Sequence, residues 1–307
     1  QAALSYQGGT EKPYISEGGD PVNYSYTGGI IGMAGTNVTI DNCMNTGDVA
    51  VHALGTTYYG SLTEVNSGII IRCQVKLPEQ FQGIYAGGIT GKNTAEGEII
   101  DCMVSGTVIG SRMAGGIAAE NFGSITTPNK TLAMSGGVQS ENGCTGGTVG
   151  FNAGTVTASD VNVKLTGDTY RAGGIAGINR GTINAAKAEG SILVSGGTGA
   201  AGGIAGESRG KITDCSFTGS VQAAGTGITG IGGIIGLLSG EAVVTGCENN
   251  GKIEGSHNAG GIVGIVDQLD GSQNVSMENC VNHGSIYGKN ASGVAGRISG
   301  IANGTLL

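Results

Sequence analysis

The chain has 307 residues, of which 63 are glycine and 4 proline; tryptophan is absent and only 12% of residues are charged. Glycine does not recur at every third position, which excludes collagen, and a 38% hydrophobic content with Ile and Val in short clusters excludes a disordered polar tract. A net charge of −8 with no basic stripe excludes a phosphate-neutralising nucleic-acid surface, and no apolar run is long enough to span a bilayer.

Residues 1–26 carry Tyr6, Tyr14, Tyr24 and Tyr26 but no copy of the pattern that follows, and they lack the basic start and apolar stretch of a signal peptide. They are expected to form an N-terminal cap or atypical coil, because the end of a repeat stack exposes unpaired strand edges. From residue 27 to 307 a Gly-Gly-Ile-x-Gly unit returns. It opens at Gly28-Gly29, softens at Gly60, returns at Gly87-Gly88 and softens again at Gly115 and Gly146. It is literal at Gly173-Gly174, Gly202-Gly203, Gly232-Gly233 and Gly260-Gly261, before a last soft copy at Ser292. Successive starts lie 27 to 32 residues apart, which is a period. The coil that starts at Ser292 is cut short by Leu307, the pattern expected of a chain that continues.

Two further patterns recur inside each period. Ile-x-x-Cys joins Ile40 to Cys43, Ile70 to Cys73, Ile99 to Cys102 and Ile212 to Cys215, with Val244 to Cys247 and Met277 to Cys280 as variants. Four residues after the cysteine, Gly-x-Val or Gly-x-Ile follows, as at Gly47, Gly106, Gly219, Gly251 and Gly284. Ser159 and Ala186 replace the cysteine in two coils, and Pro128 stands near its place in a coil lengthened over residues 126–143.

Short β-branched clusters between Gly, Asn, Asp and Ser are strand and turn signals, and no helical period intervenes. The pattern predicts an all-β chain: a right-handed parallel β-helix, or solenoid, of about ten coils with three short strands per coil. At ~4.8 Å per coil it would form a rod about 45–50 Å long. The paired glycines are expected at corners, where a positive φ costs them nothing and a side chain would block close approach.

The stretch Gly173-Gly174-Ile175-Ala176-Gly177-Ile178-Asn179-Arg180-Gly181-Thr182-Ile183 resembles the GLUG repeat, and Asn93, Asn121 and Asn152 sit near the same turn in other copies. That repeat occurs in surface and secreted bacterial proteins, including non-catalytic regions of some IgA-cleaving metallopeptidases. The resemblance extends over most of residues 27–300 and implies a β-helix in an extracellular bacterial setting, with no activity of its own. The His-Glu-x-x-His helix of the metallopeptidases is absent, since no histidine here precedes a glutamate.

Six cysteines (Cys43, Cys73, Cys102, Cys215, Cys247 and Cys280) occupy one repeat position, so stacking turns them into a ladder of buried free thiols. A ladder spacing of ~4.8 Å with parallel Cβ vectors suits neither a disulfide, which wants its Cβ atoms nearer 3.8 Å, nor four converging zinc ligands. Cys144 falls outside the ladder and is the candidate for exposed reactivity. His52, His257 and His283 read as surface residues. Asp101 and Asp214 share the position before the ladder cysteine, where Arg72, Gly246 and Asn279 stand in other coils. They lie four coils apart, or roughly 19 Å, too far to act together, and a solvated turn explains them better.

The calcium-binding nonapeptide of β-rolls does not occur, and neither a metal nor a cofactor is expected. Aromatics total 4%. Tyr58 and Tyr59, the adjacent pair, are the candidate sugar platform, although core packing or loop filling is the favoured reading of them. The function expected is a non-enzymatic extracellular structural or adhesion module of a bacterial surface or secreted protein. Its partner would be a host or cell-wall glycan or protein, without nucleic acid and without membrane insertion in this chain. The rivals are a glycan-degrading β-helical enzyme, with a site built in loops at 52–66, 126–143 and 222–231, and a substrate-positioning region of a larger protease.

Overall fold

Each apolar cluster of the repeat forms a strand, and each strand pairs in parallel with its counterpart one repeat on. The computed structural model describes residues 28–47, 58–78, 81–129, 132–141, 143–167, 170–195, 199–224, 230–255, 258–267, 275–288, 295–296 and 299–303. The expected cap over 1–26 and the opening of the unit at Ser292 lie outside the described residues. All the regular elements described are strands, and together they make a parallel β-solenoid.

The first wall stacks ten strands, from Met33–Ala34 to Ser299–Asn303, and the second stacks nine, from Thr39–Asp41 to Ser276–Glu278. The number of complete coils therefore falls slightly short of the ten expected. The third wall departs from a short strand. In a typical coil it runs as a long strand, Lys187–Val194, followed by a short arm, Ala200–Gly202, that leads back to the first wall. In one coil the two merge into Met103–Gly115, 13 residues long. The lengthened segment is a strand, Leu132–Ser140, that pairs on both sides; it is in steady register with Met103–Gly115 and shifts register between Leu132 and Met134 against Asp160–Gly167. Nor is 52–66 a loop throughout: Tyr58–Gly60 and Thr63–Asn66 are strands.

The interior is built from columns of like residues. Ile40, Ile70, Ile99, Ile125, Val156, Ile183, Ile212 and Val244 stand in register along the second wall and are buried. Each such side chain is worth about 2 kcal/mol relative to exposure, and β-branched residues stack well at strand spacing. A second column at the corner into the first wall runs Leu62, Ile89, Ile117, Thr148, Ile175, Ile204, Ile234 and Ile262.

The two corner types use different devices. Between the second and third walls one residue is left-handed in eight of the nine described coils, the one with Pro128 excepted: Asn42, Arg72, Asp101, Ala158, Ala185, Asp214, Gly246 and Asn279, with φ from 49° to 66°. This is the position immediately before the ladder cysteine, and it accounts for the Asn, Asp and Gly found there, since these tolerate that region best. Asp101 and Asp214 are thus turn residues, in line with the solvated-turn reading.

The paired glycines, expected to turn by positive φ, do not; the described glycines with positive φ stand elsewhere, most of them in the third wall, as at Gly190 (φ 111°) and Gly219 (φ 146°). What the pair provides is close approach. A Cβ at Gly203 would collide with the Gly233 carbonyl oxygen and the Phe217 ring, and one at Gly174 with the Gly203 carbonyl oxygen and the Ala188 Cβ.

Candidate functional site

The ladder cysteine follows the left-handed corner and turns inward. Cys73, Cys102, Cys215 and Cys247 are buried, while Cys43 and Cys280 at the two ends are half-buried, and all are free thiols. Each thiol donates to the carbonyl two residues back, as from Cys215 Sγ to Thr213 O at 3.1 Å. The Cys43 and Cys73 amides donate to the sulfur one coil on, each at 3.4 Å. Pro128, Ser159 and Ala186 split the column into two triplets. Within them the Cys73 partnership and burial hold Cys102 far above the ordinary thiol range, and the Cys247 partnership and burial do the same for Cys280. Cys102 and Cys280 are therefore neutral packing elements.

A second ladder was not anticipated as a network. The last residue of successive first-wall strands is Asn66, Asn93, Asn121, Asn152 and Asn179, all fully buried. Each donates its amide Nδ2 to the Oδ1 of the next at 2.8 Å, and Asn179 ends the series on Ser208 Oγ at 3.2 Å. The remaining donor capacity goes to turn carbonyls, as from Asn93 to Gly97 O at 3.0 Å. The signal was in the sequence: Asn stands two residues before a turn glycine in several copies, and a buried side-chain amide needs such partners.

Cys144 is not exposed. It lies in the short arm Cys144–Gly146, 8% accessible, and burial pushes its thiol up to about 11. The reason is the fold of the arm. The outer faces of the arm and of the first wall lean together into a seam, so a residue pointing away from the core is still covered. The arm column reads Tyr58, Tyr85, Met113, Cys144, Arg171, Ala200 and Gly230, each in register with the next. The facing first-wall column reads Val65, Lys92, Glu120, Phe151, Ile178, Glu207, Leu237 and Ile265.

Side-chain chemistry concentrates on this seam. Tyr58 and Tyr85 stack at 5.0 Å with their planes 35° apart, and the Tyr58 hydroxyl donates to Glu120 Oε2 at 2.7 Å. Burial and that bond raise the Tyr58 phenol pKa well above its ordinary value. Lys92 Nζ lies 5.5 Å from the Tyr58 ring centre and 5.2 Å from that of Phe122. Phe122 in turn meets Phe151 at 5.9 Å, and Arg180 caps Phe151 at 5.7 Å. Farther along, Arg171 donates to Glu207 at 2.7 Å with both side chains buried, and Arg209 reaches the same carboxylate at 3.2 Å.

Of the two candidate tyrosines, only Tyr58 belongs to this surface. Tyr59 packs against the core, with its ring over Gly83, where a Cβ would collide with it. Asp101 accepts from Asn129, and His283 lies on the surface 3.8 Å from Glu248; His52 and His257 lie outside the described residues. Among the described residues no group of three or more His, Cys, Asp or Glu is placed to hold a metal ion, and no helix is long and apolar enough to cross a membrane.

The repeat geometry also meets a known family. The model of the GLUG motif matches residues 82–109 and 197–222, each beginning at or just before the short arm and running through the first and second walls into the third. The chain carries GLUG repeats. Neither a curated protein nor a solved structure matches it. In structural terms one GLUG unit is one coil, and its glycines, its apolar positions and the cysteine all serve the stacking described above.

Proposed function

We propose that this GLUG solenoid is a non-enzymatic structural and adhesive module of a bacterial cell-surface or secreted protein. The observation that carries the reading is the division of labour across each coil. Interior positions repeat as columns that are mostly Ile or Val, with a five-residue Asn column, which make a stiff rod, whereas the residues with distinctive chemistry vary from coil to coil along the outer seam. Solenoids use such elongated outer surfaces for binding, with each coil adding contacts to those of its neighbours. The setting of the proteins the GLUG unit resembles supports the extracellular assignment.

Incubation with a panel of host and plant polysaccharides, followed by assay for new reducing ends, tests the non-enzymatic part. No release of reducing ends is expected, and reproducible turnover would overturn the reading. Display of the chain on a bacterial surface, scored for attachment to glycan-coated and protein-coated supports, tests the adhesive part. Attachment no better than that of a host displaying an unrelated rod would defeat it.

A further inference from the structure

We infer that the aromatic and cationic part of the seam, around Tyr58, Lys92, Phe122, Phe151 and Arg180, is a binding track for a carboxylate-bearing polysaccharide, a uronate chain lying along the rod. The inference rests on the adhesive-module reading and names the surface and the ligand chemistry.

The chain has few aromatic residues, 9 Tyr and 4 Phe, yet two ring pairs come together on this outer face over four coils. Clustered surface rings mark an interaction site far better than scattered ones; Phe122 is exposed, 38% accessible, and Tyr58, Tyr85 and Phe151 are half-buried beside it. The rings do not form a continuous apolar patch of the kind that seats a protein partner. Lys92 and Arg180 interleave with them, and among the described residues neither cation is in an ion pair. A ligand that satisfies this surface needs apolar faces for the rings and negative charges at intervals for the cations. A uronate chain has both on each residue: the C–H face of the pyranose and a carboxylate.

Charge selects further. The protein is acidic overall, with a net charge of −8, so an anion finds complementarity only where cations are locally in excess, as here. A neutral glycan would leave both cations without a counter-ion. Repetition also favours a polymer: the coils present their side chains at a pitch of ~4.8 Å along one line, a regular row suited to a regular ligand.

The test is calorimetric titration of the whole chain with oligogalacturonate and with its methyl ester, which has the same backbone without the charge. Expected are binding of the uronate, weaker binding with added salt, and little or none of the ester. Lys92→Gln and Phe122→Ala should each weaken uronate binding by about tenfold, the equivalent of a contact worth about 1.4 kcal/mol. Tyr287→Ala, which removes an exposed ring from another wall, should leave it unchanged. Circular dichroism of each variant separates lost binding from lost folding.

Absence of uronate binding by the wild type overturns the inference, as does equal binding by Lys92→Gln and Phe122→Ala. Uronate binding that these variants leave intact would sink the seam as its location while the adhesive module stands. Release of reducing ends from the oligogalacturonate would instead defeat the module reading itself.

Discussion

The interior and the seam of this solenoid solve the same stacking problem in opposite ways. Inside, a column repeats one residue: the five asparagines from Asn66 to Asn179 pass one hydrogen bond from coil to coil at an unvarying 2.8 Å. In the seam no residue repeats for long, and fit comes from compensation between facing columns. Large Tyr58 lies against Gly91 at one end, and toward the other end a Cβ at Gly230 would come 3.1 Å from the Cγ1 of Ile265. A repeated column is a constraint on every coil, whereas a compensated seam can change its chemistry locally as long as summed volume is kept. That freedom is why distinctive side chains collect there.

The sharpest way to break the interior is at a paired glycine. Gly203→Val would drive a side chain into the Gly233 carbonyl and the Phe217 ring, and a backbone atom cannot yield as a side chain can. We expect a loss of about 3 kcal/mol, near the upper end for overpacking, seen as a large fall in the thermal midpoint. An unchanged midpoint would refute the close-approach account of the Gly-Gly pair. A comparable loss is expected in the seam for a different reason. Arg171→Met would leave Glu207 buried with only the more distant Arg209, a cost of about 3 kcal/mol. Because the seam works by compensation, Arg171→Met combined with Glu207→Leu should recover most of that loss. If the double variant is as unstable as the single one, the ion pair is not the compensating unit.

The contrast also explains what could be read from the sequence. Ile-x-x-Cys recurs because each coil needs the same inward pair, so the second wall and the thiol ladder were visible as a period. The seam was hidden because its residues are unlike in kind and come from different coils: Lys92, Phe122, Phe151 and Arg180 meet only when the first wall stacks, and Tyr58 joins them only when the arm lies against that wall. Cys144 was misread for the same cause: a residue outside the inward period looked exposed, but the facing column covers it. Residues 58–66 read as loop because Thr63, Glu64 and Asn66 break the apolar pattern, although all three are buried in a strand. The left-handed corner was legible in part, since Asn42, Asp101, Asp214 and Asn279 suit it, but Arg72, Ala158 and Ala185 give no sequence sign.

Intermediate in size is the effect of interrupting the asparagine column. Asn121→Ala removes the acceptor of Asn93 Nδ2 and the donor to Asn152 Oδ1 at a point with no access to water. Unsatisfied buried groups cost about 1–3 kcal/mol, and we expect about 2 kcal/mol by chemical denaturation. Asn179→Ser should cost less, because Ser208 already fills the equivalent place one coil on. Equal losses for the two would argue that the ladder is not a chain of equivalent links with a tolerant end.

The smallest effect expected is a dependence on alkaline pH that belongs to the seam. Burial raises the Cys144 thiol from 9.0 in the unfolded chain to about 11 in the folded one. A raised folded value means the folded state keeps its proton while the unfolded state loses it. The associated stability is therefore fully present below pH 9 and is lost as pH rises from 9 to about 11. The loss amounts to about 1 kcal/mol at pH 10. Other thiols are also held above their ordinary value, so the wild type alone cannot isolate this one. The measurement is the difference in unfolding free energy between wild type and Cys144→Ala, taken at pH 8 and at pH 10. The difference should shift by about 1 kcal/mol against the wild type at the higher pH. A constant difference would mean that Cys144 ionises as freely in the folded chain as in the unfolded one. The seam would then be open to solvent at its midpoint rather than closed over it.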